Sequence, residues 1–262
     1  MTRFNLVLSN SGALMTEQQK NAALAVSLMD LTSLNSDDNT STIDKLINSI
    51  NPALGTPAAL CVYSEFVDDA KVALAVKELS YIKVATVTNF PTGDAPLNDV
   101  INETLIAIER GADEIDLVIP YKALIAGDEN TVLQFVSESK KACGTRAQLK
   151  VIIESGELKT KELITKATEL AIKGGADFVK TSTGKVAVNA TLEATKIILD
   201  TIKSSGKRIG FKAAGGIKTV VDASDYLTLA RAIMGDEYLQ ANTFRFGASS
   251  LLKDVYNILE NH

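Results

Sequence analysis

Eight short aliphatic or β-branched runs punctuate the chain, centred near Asp30, Leu60, Ala85, Leu117, Ile152, Val179, Phe211 and Phe246. Longer amphipathic stretches separate them at steps of about thirty residues, the size of one strand–helix unit. Eight such units in 262 residues favour a closed (β/α)8 barrel, a TIM barrel, over an open sheet. No Gly/Ser/Pro-rich linker or charge block divides the sequence. It therefore reads as one domain over residues 1–262, with residues 1–12 as a flexible N-terminal extension. An extra N-terminal helix is expected over Thr16–Ser27, covering the barrel floor. Asn98-Asp99 offers a cap to a helix carrying Val100, Ile101, Leu105 and Ile108, and Gly111 ends it. Thr160 to Lys173 repeats the design and stops at Gly174-Gly175.

An internal echo fixes the phase of two strands. Gly111-Ala112-Asp113 and Gly175-Ala176-Asp177 lead into the fourth and sixth strands, and five residues beyond each glycine stand Asp116 and Lys180. If the two loops share a geometry, both side chains point into the barrel in one interior layer, because alternate strands supply a layer. Lys150 and Lys212 each lie six residues after a glycine, on the fifth and seventh strands. A barrel interior with an aspartate and three lysines is hard to explain as packing.

Composition removes several classes of function. The only histidine is His262, which excludes histidine triads, histidine-built zinc sites and an imidazole base within the fold. Cys61 and Cys143 show no metal-ligand spacing and read as reduced thiols of a cytoplasmic protein. A formal charge of −5 argues against a nucleic-acid partner, although a local basic pocket for a small anion remains compatible. Met1 to Ser11 is too polar for a signal peptide, and no stretch is long and apolar enough for a membrane.

Chemistry concentrates where two lysines each end an apolar run: Lys180 after Phe178-Val179, and Lys212 after Ile209-Gly210-Phe211. A buried amine loses part of its charge or finds a partner. A neutral lysine amine attacks carbonyl carbon and forms an imine. Two ammonium groups about 5–6 Å apart repel by roughly 3 kcal/mol at an effective dielectric of about 20, or about two pKa units. Desolvation acts in the same direction, so Lys180 is expected as the nucleophile and Lys212 as its charged neighbour. Asp116, within Ile115–Pro120, is either a structural ion pair or a proton shuttle; Asp30 on the first strand has a similar claim.

Three segments suit a phosphate. Thr183-Gly184-Lys185 follows the sixth strand, Gly215-Gly216-Ile217-Lys218 the seventh, and Gly247-Ala248-Ser249-Ser250 the eighth. Glycines let backbone N–H groups approach an anion, hydroxyls donate to it, and the following helix adds its positive end.

With these segments the chain resembles the deoxyribose-phosphate aldolases, class I aldolases on a (β/α)8 barrel. The likeness runs from Met29-Asp30-Leu31-Thr32 through Ala85–Pro91, Lys150–Glu154 and Phe178–Asn189 to Arg245–Ser250, and Lys180–Lys185 joined to Phe211–Gly216 is its most specific part. The resemblance implies a metal-independent lyase needing no cofactor. Its reaction is reversible cleavage of 2-deoxy-D-ribose 5-phosphate to D-glyceraldehyde 3-phosphate and acetaldehyde. It further implies an imine on Lys180, a pKa-lowering Lys212, and a water relay through Asp116 and Lys212. Lys150 and Asp30 then line the site. Thr183, Gly184, Lys185, Gly215, Gly216, Gly247, Ser249 and Ser250 bind the phosphorylated substrate. Cys61 matches a family position near the pocket without a catalytic role.

The chain departs from many relatives with Ala213 for proline, expected to loosen the loop after Lys212, and with Lys218 for arginine. Some relatives carry a tail whose terminal tyrosine reaches the site. Here the sequence ends in Asn261-His262 with Tyr256 inside the last helix, so slower exchange at the acetaldehyde carbon is expected. Another imine-forming barrel, such as a transaldolase, and a non-catalytic phosphosugar-binding barrel stay open at this point. So does the oligomeric state, with a homodimer among the options.

Overall fold

The computed structural model describes residues 15–260, so the extension expected at residues 1–12 lies outside the described residues. Eight parallel strands close on themselves in sequence order: β1 (Met29–Thr32), β2 (Ala59–Val62), β3 (Lys83–Thr88), β4 (Glu114–Val118), β5 (Gln148–Ile152), β6 (Phe178–Lys180), β7 (Gly210–Ala214) and β8 (Phe244–Ala248). The chain between strands is helical. α1 (Glu17–Ser27) precedes β1, and α2 (Thr40–Asn48), α3 (Val67–Val76) and α4 (Leu97–Glu109) follow the first three strands in turn. α5 (Tyr121–Ile125) and α6 (Glu129–Cys143) follow β4, and α7 (Ser155–Leu158) and α8 (Lys161–Lys173) follow β5. α9 (Leu192–Ser205), α10 (Val220–Met234) and α11 (Leu251–Glu260) complete the ring. This is the (β/α)8 barrel expected from the spacing of the aliphatic runs. Both faces of its strands are covered, which is why β2, β4 and β7 are buried at every position.

The internal echo is a repeated structure. Gly111 (φ 96°) and Gly175 (φ 92°) both take the left-handed conformation that ends a helix. The N–H groups of Ala112 and Ala176 then donate back to Ala107 and Ala171, each at 3.0 Å. Oδ2 of Asp113 accepts the N–H of Val84 on β3 and the amine of Lys71 on α3. Oδ2 of Asp177 accepts the N–H of Leu149 on β5 and the amine of Lys140 on α6. Each aspartate thus pins its own strand to the preceding one in the same register, and Asp116 and Lys180 emerge with the same inward phase. Across the strands Asp116 stands beside Lys150 and Lys180 beside Lys212.

Two expectations need correction. α1 starts as foreseen, with Thr16 and Gln19 forming a reciprocal cap. It does not cover the floor, however: it packs on the flank against α10 and α11, and Asn21 donates to Ser224 at 3.0 Å. Its small buried face of Ala22, Ala25 and Val26 suits a groove between two helices better than a wide barrel mouth. α4 begins at Leu97 behind Pro96, ahead of the expected Asn98-Asp99 cap, because proline pre-sets the backbone and lacks an N–H to satisfy.

Candidate active site

Asp116 is the hub of the barrel interior. Its Oδ2 accepts from Lys180 Nζ and Lys212 Nζ, both at 2.7 Å, and its Oδ1 from Lys150 Nζ at 3.0 Å. Lys212 also reaches Asp30 Oδ2 at 2.5 Å, and Lys150 approaches the same oxygen at 3.4 Å. Asp30, Asp116, Lys150 and Lys212 are fully buried, and Lys180 is 3% exposed. The four interior groups read from the sequence are therefore one cluster, and Asp30 belongs to it.

Burial and pairing act on these groups in opposite directions. For Asp116 burial pushes the carboxyl up, but Lys150, Lys180 and Lys212 outweigh it and hold it well below the usual carboxylate range. Asp30 is likewise held down, by Lys212, Lys150 and Arg245 against burial. Burial pulls Lys212 down, yet Asp116 and Asp30 together raise it above an ordinary lysine. Lys180 is the exception. Burial lowers it most, Asp116 opposes, Lys212 adds to the lowering, and the net shift is downward. The sequence argument put repulsion from Lys212 first. The structure puts loss of water first, because Lys180 is buried at the end of its strand.

Lys180 opens upward into a cavity of about 390 Å³ at the C-terminal ends of the strands. Thr183, Gly184 and Lys185 form one wall, and Gly215, Gly216 and Lys218 another. Gly247, Ser249 and Ser250 close the third side, and the two serines directly precede α11, whose positive dipole end faces anions. Larger hollows of about 790 and 780 Å³ lie on the α8–α9 flank and at the opposite mouth. Neither contains Lys180, which makes the smaller cavity the candidate site.

Two glycines are dictated by close approach. A Cβ on Gly247 would stand 3.0 Å from Cε of Lys212 and 2.9 Å from Cβ of Ala214, so this position is left empty for the lysine stem to pass. Gly215 (φ +87°) would bring a Cβ within 2.6 Å of Cβ of Asn189, on the segment that follows Lys185. Lys185 is itself engaged: its amine donates to the Leu34 carbonyl at 2.6 Å and ties the rim of β6 to that of β1. Ala213 is buried within β7 opposite Phe246, and Ala214 N–H donates to Thr181 Oγ1 at 3.1 Å. Lys218 has an exposed side chain on the cavity wall. Tyr256 lies inside α11, where its hydroxyl accepts from the N–H of Asn51 and donates to the Gly55 carbonyl. The terminal Asn261-His262 lies outside the described residues.

Three buried charges were not singled out from the sequence. Arg245 donates to Asp30 Oδ1 at 2.5 Å and to Glu114 Oε1 at 2.8 Å, and Glu114 Oε2 accepts from Lys150 at 2.5 Å. Glu154, in the left-handed region at φ 52°, accepts the N–H of Thr183 and so fixes the loop after Lys180. Each had a signal. Glu114 is two residues before Asp116 and shares its strand face, Arg245 sits between two phenylalanines, and Glu154 ends the run Val151-Ile152-Ile153. Cys61 and Cys143 are buried free thiols, and burial raises the Cys61 pKa.

A closed parallel barrel with a burial-depressed lysine at its C-terminal mouth, beneath a rim of glycines and hydroxyls, defines an enzyme that works on carbonyl carbon. The sequence profile of the DeoC/LacD family aldolases matches residues 24–256. A deoxyribose-phosphate aldolase of Agrobacterium fabrum (strain C58 / ATCC 33970) is 51% identical over 238 residues, covering 91% of each chain. A solved apo structure from Toxoplasma gondii ME49, assigned as a deoxyribose-phosphate aldolase, superimposes with a TM-score of 0.85 at 27% identity over 94% of this chain and 98% of that one. A tetrameric deoxyribose phosphate aldolase of Aeropyrum pernix shares the fold, with a TM-score of 0.72 at 23% identity over 94% and 97% of the two chains. The chain belongs to the DeoC/LacD aldolase family and is a lyase.

Proposed function

We propose that this aldolase cleaves 2-deoxy-D-ribose 5-phosphate reversibly to D-glyceraldehyde 3-phosphate and acetaldehyde, through an imine on Lys180. The supporting observation is a lysine pushed toward neutrality at the floor of a cavity whose rim suits a phosphate. Lys180 Nζ attacks the aldehyde carbon C1 of the open-chain sugar, and the carbinolamine loses water to give the iminium. The C2–C3 bond then breaks. Its electron pair flows into the iminium, the C3 hydroxyl gives up its proton, and glyceraldehyde 3-phosphate leaves. Protonation of the remaining enamine at C2 and hydrolysis release acetaldehyde and regenerate the amine.

Asp116 and Lys212 carry the protons in this reading, through water held beside Lys180. Asp30 and Lys150 hold those two groups in place. The backbone at Gly184, Gly215, Gly216 and Gly247, the hydroxyls of Thr183, Ser249 and Ser250, and Lys185, whose amine also donates to the Leu34 carbonyl, receive the phosphate. Among the described residues no helix is long and apolar enough to cross a membrane. Placement in the cytoplasm and assembly as a homodimer belong to the same proposal, and cell fractionation and light scattering test them.

The decisive experiment is borohydride reduction of the folded protein with acetaldehyde, followed by peptide mass spectrometry. A two-carbon adduct on Lys180 supports the imine and identifies the donor. Its absence overturns the assignment.

A further inference from the structure

The charged cluster under the cavity continues down the barrel axis. Arg245 and Glu114 form a second tier below Lys150 and Asp30, and the guanidinium lies 5.8 Å from the centre of the Phe178 ring. This tier forms part of the wall of the hollow at the N-terminal mouth, where Lys83 and Lys140 stand with Asp113 and Asp177. No side chain of the column exceeds 5% exposure.

The sum of charges in the column is uneven. Lys150, Lys180, Lys212 and Arg245 face Asp30, Glu114 and Asp116, so full ionisation leaves one cation in excess. Excess charge is costly where water is excluded, and an arginine does not release its proton. A lysine must give one up. Lys150 meets Glu114, Asp116 and Asp30, and Lys212 meets Asp30 and Asp116. Lys180 meets Asp116 alone among the described residues, so the deficit falls there at least cost.

We propose that Arg245 is a positioning residue whose fixed positive charge, delivered through Asp30 and Glu114, keeps Lys180 deprotonated from the far end of the barrel. The inference rests on the reading of Lys180 as nucleophile. Of the other groups near Lys180, Cys61 is a buried thiol whose pKa burial raises, and Glu154 turns both oxygens to the Thr183 N–H and makes no ion pair with the column among the described residues. Arg245 faces Asp30 and Glu114, with Lys150 as the nearby cation.

The test reads the Lys180 amine directly, by pH-dependent trace acetylation with acetic anhydride and peptide mass spectrometry, which needs no aldolase activity. Arg245→Gln is expected to raise the labelling midpoint by about one pH unit, the effect of a unit charge acting over roughly 10 Å at an effective dielectric of about 20. Glu114→Gln lowers it by a similar amount, the double variant returns it toward wild type, and Arg245→Lys leaves it in place. A packing role would lower thermal stability in every variant without this pattern of opposite shifts. If Arg245→Gln does not fold, Glu114→Gln and the double variant decide alone. A midpoint in folded Glu114→Gln that is unmoved or raised overturns the proposal. Failure of wild-type protein to trap acetaldehyde would instead remove the nucleophile reading and leave these midpoints standing.

Discussion

Lys180 and Lys212 donate to a single oxygen, Oδ2 of Asp116, each over 2.7 Å. The shared acceptor makes the two amines unequal. Lys212 has a second carboxylate in Asp30 at 2.5 Å and stays charged, whereas Lys180 has a cavity on its other side. Neighbouring residues on adjacent strands thus carry opposite protonation preferences, which an imine-forming enzyme needs from its nucleophile and its proton source.

The pH dependence follows from those directions. Lys180 must be neutral to attack, and its pKa lies below the ordinary 10.5 while that of Lys212 lies above it. The rate constant kcat/KM is therefore expected to rise as pH climbs through the lowered Lys180 value and to level off before pH 10.5. An acid limb still rising at that pH, measured with a stable buffer series, would contradict the assignment of Lys180.

Asp116→Asn removes the shared carboxylate and leaves buried ammonium groups without their anion. Breaking a buried pair in this way costs about 3–5 kcal/mol, or a melting temperature lower by about 10 °C in a domain of this size. Activity falls by about 10²–10⁴-fold with the loss of proton transfer. Calorimetry beside a retro-aldol assay checks both, and an unchanged melting temperature would mean that the cluster is not charged.

Gly247→Ala puts a methyl group against Cε of Lys212 and Cβ of Ala214. Overpacking of this kind costs about 1–3 kcal/mol. Because the displaced atom belongs to Lys212 and the glycine also borders the cavity, kcat should fall more than KM rises. Steady-state kinetics showing only a KM increase would place the effect on phosphate binding instead.

Lys218→Arg substitutes a planar, two-pronged donor for a point charge on the cavity wall. A gain of about 1 kcal/mol in phosphate binding, or roughly fivefold, is expected in KM for the phosphorylated substrate. The unphosphorylated sugar is the control, and an equal change in both would show that Lys218 does not meet the phosphate.

Much of the site was legible before folding because strand periodicity carries side-chain direction. The Gly-Ala-Asp echo placed Asp116 and Lys180 in one phase, and the structure explains why. Asp113 and Asp177 make the same hydrogen bonds to the preceding strand and helix. The phosphate-ready rim was equally readable, since glycines and hydroxyls after consecutive strands must gather at one mouth of a closed barrel. Lys185 shows the limit of that reasoning: the segment suggested a phosphate ligand, and nothing in it foretold that the amine also donates to a carbonyl of the neighbouring loop.

The sequence by itself determined the barrel, the inward phase of the interior lysines and the segments at the mouth. These depend on local spacing, which survives in one dimension. Only the tertiary structure supplied the reason that Lys180 is shifted down and Lys212 up. That difference depends on the carboxylates met across the barrel: Asp30 and Asp116 for Lys212, and Asp116 for Lys180. It also depends on the lower tier of Arg245 and Glu114, brought together from strands 131 residues apart. Electrostatic balance is a sum over neighbours in space, and closure of the sheet is what makes those residues neighbours.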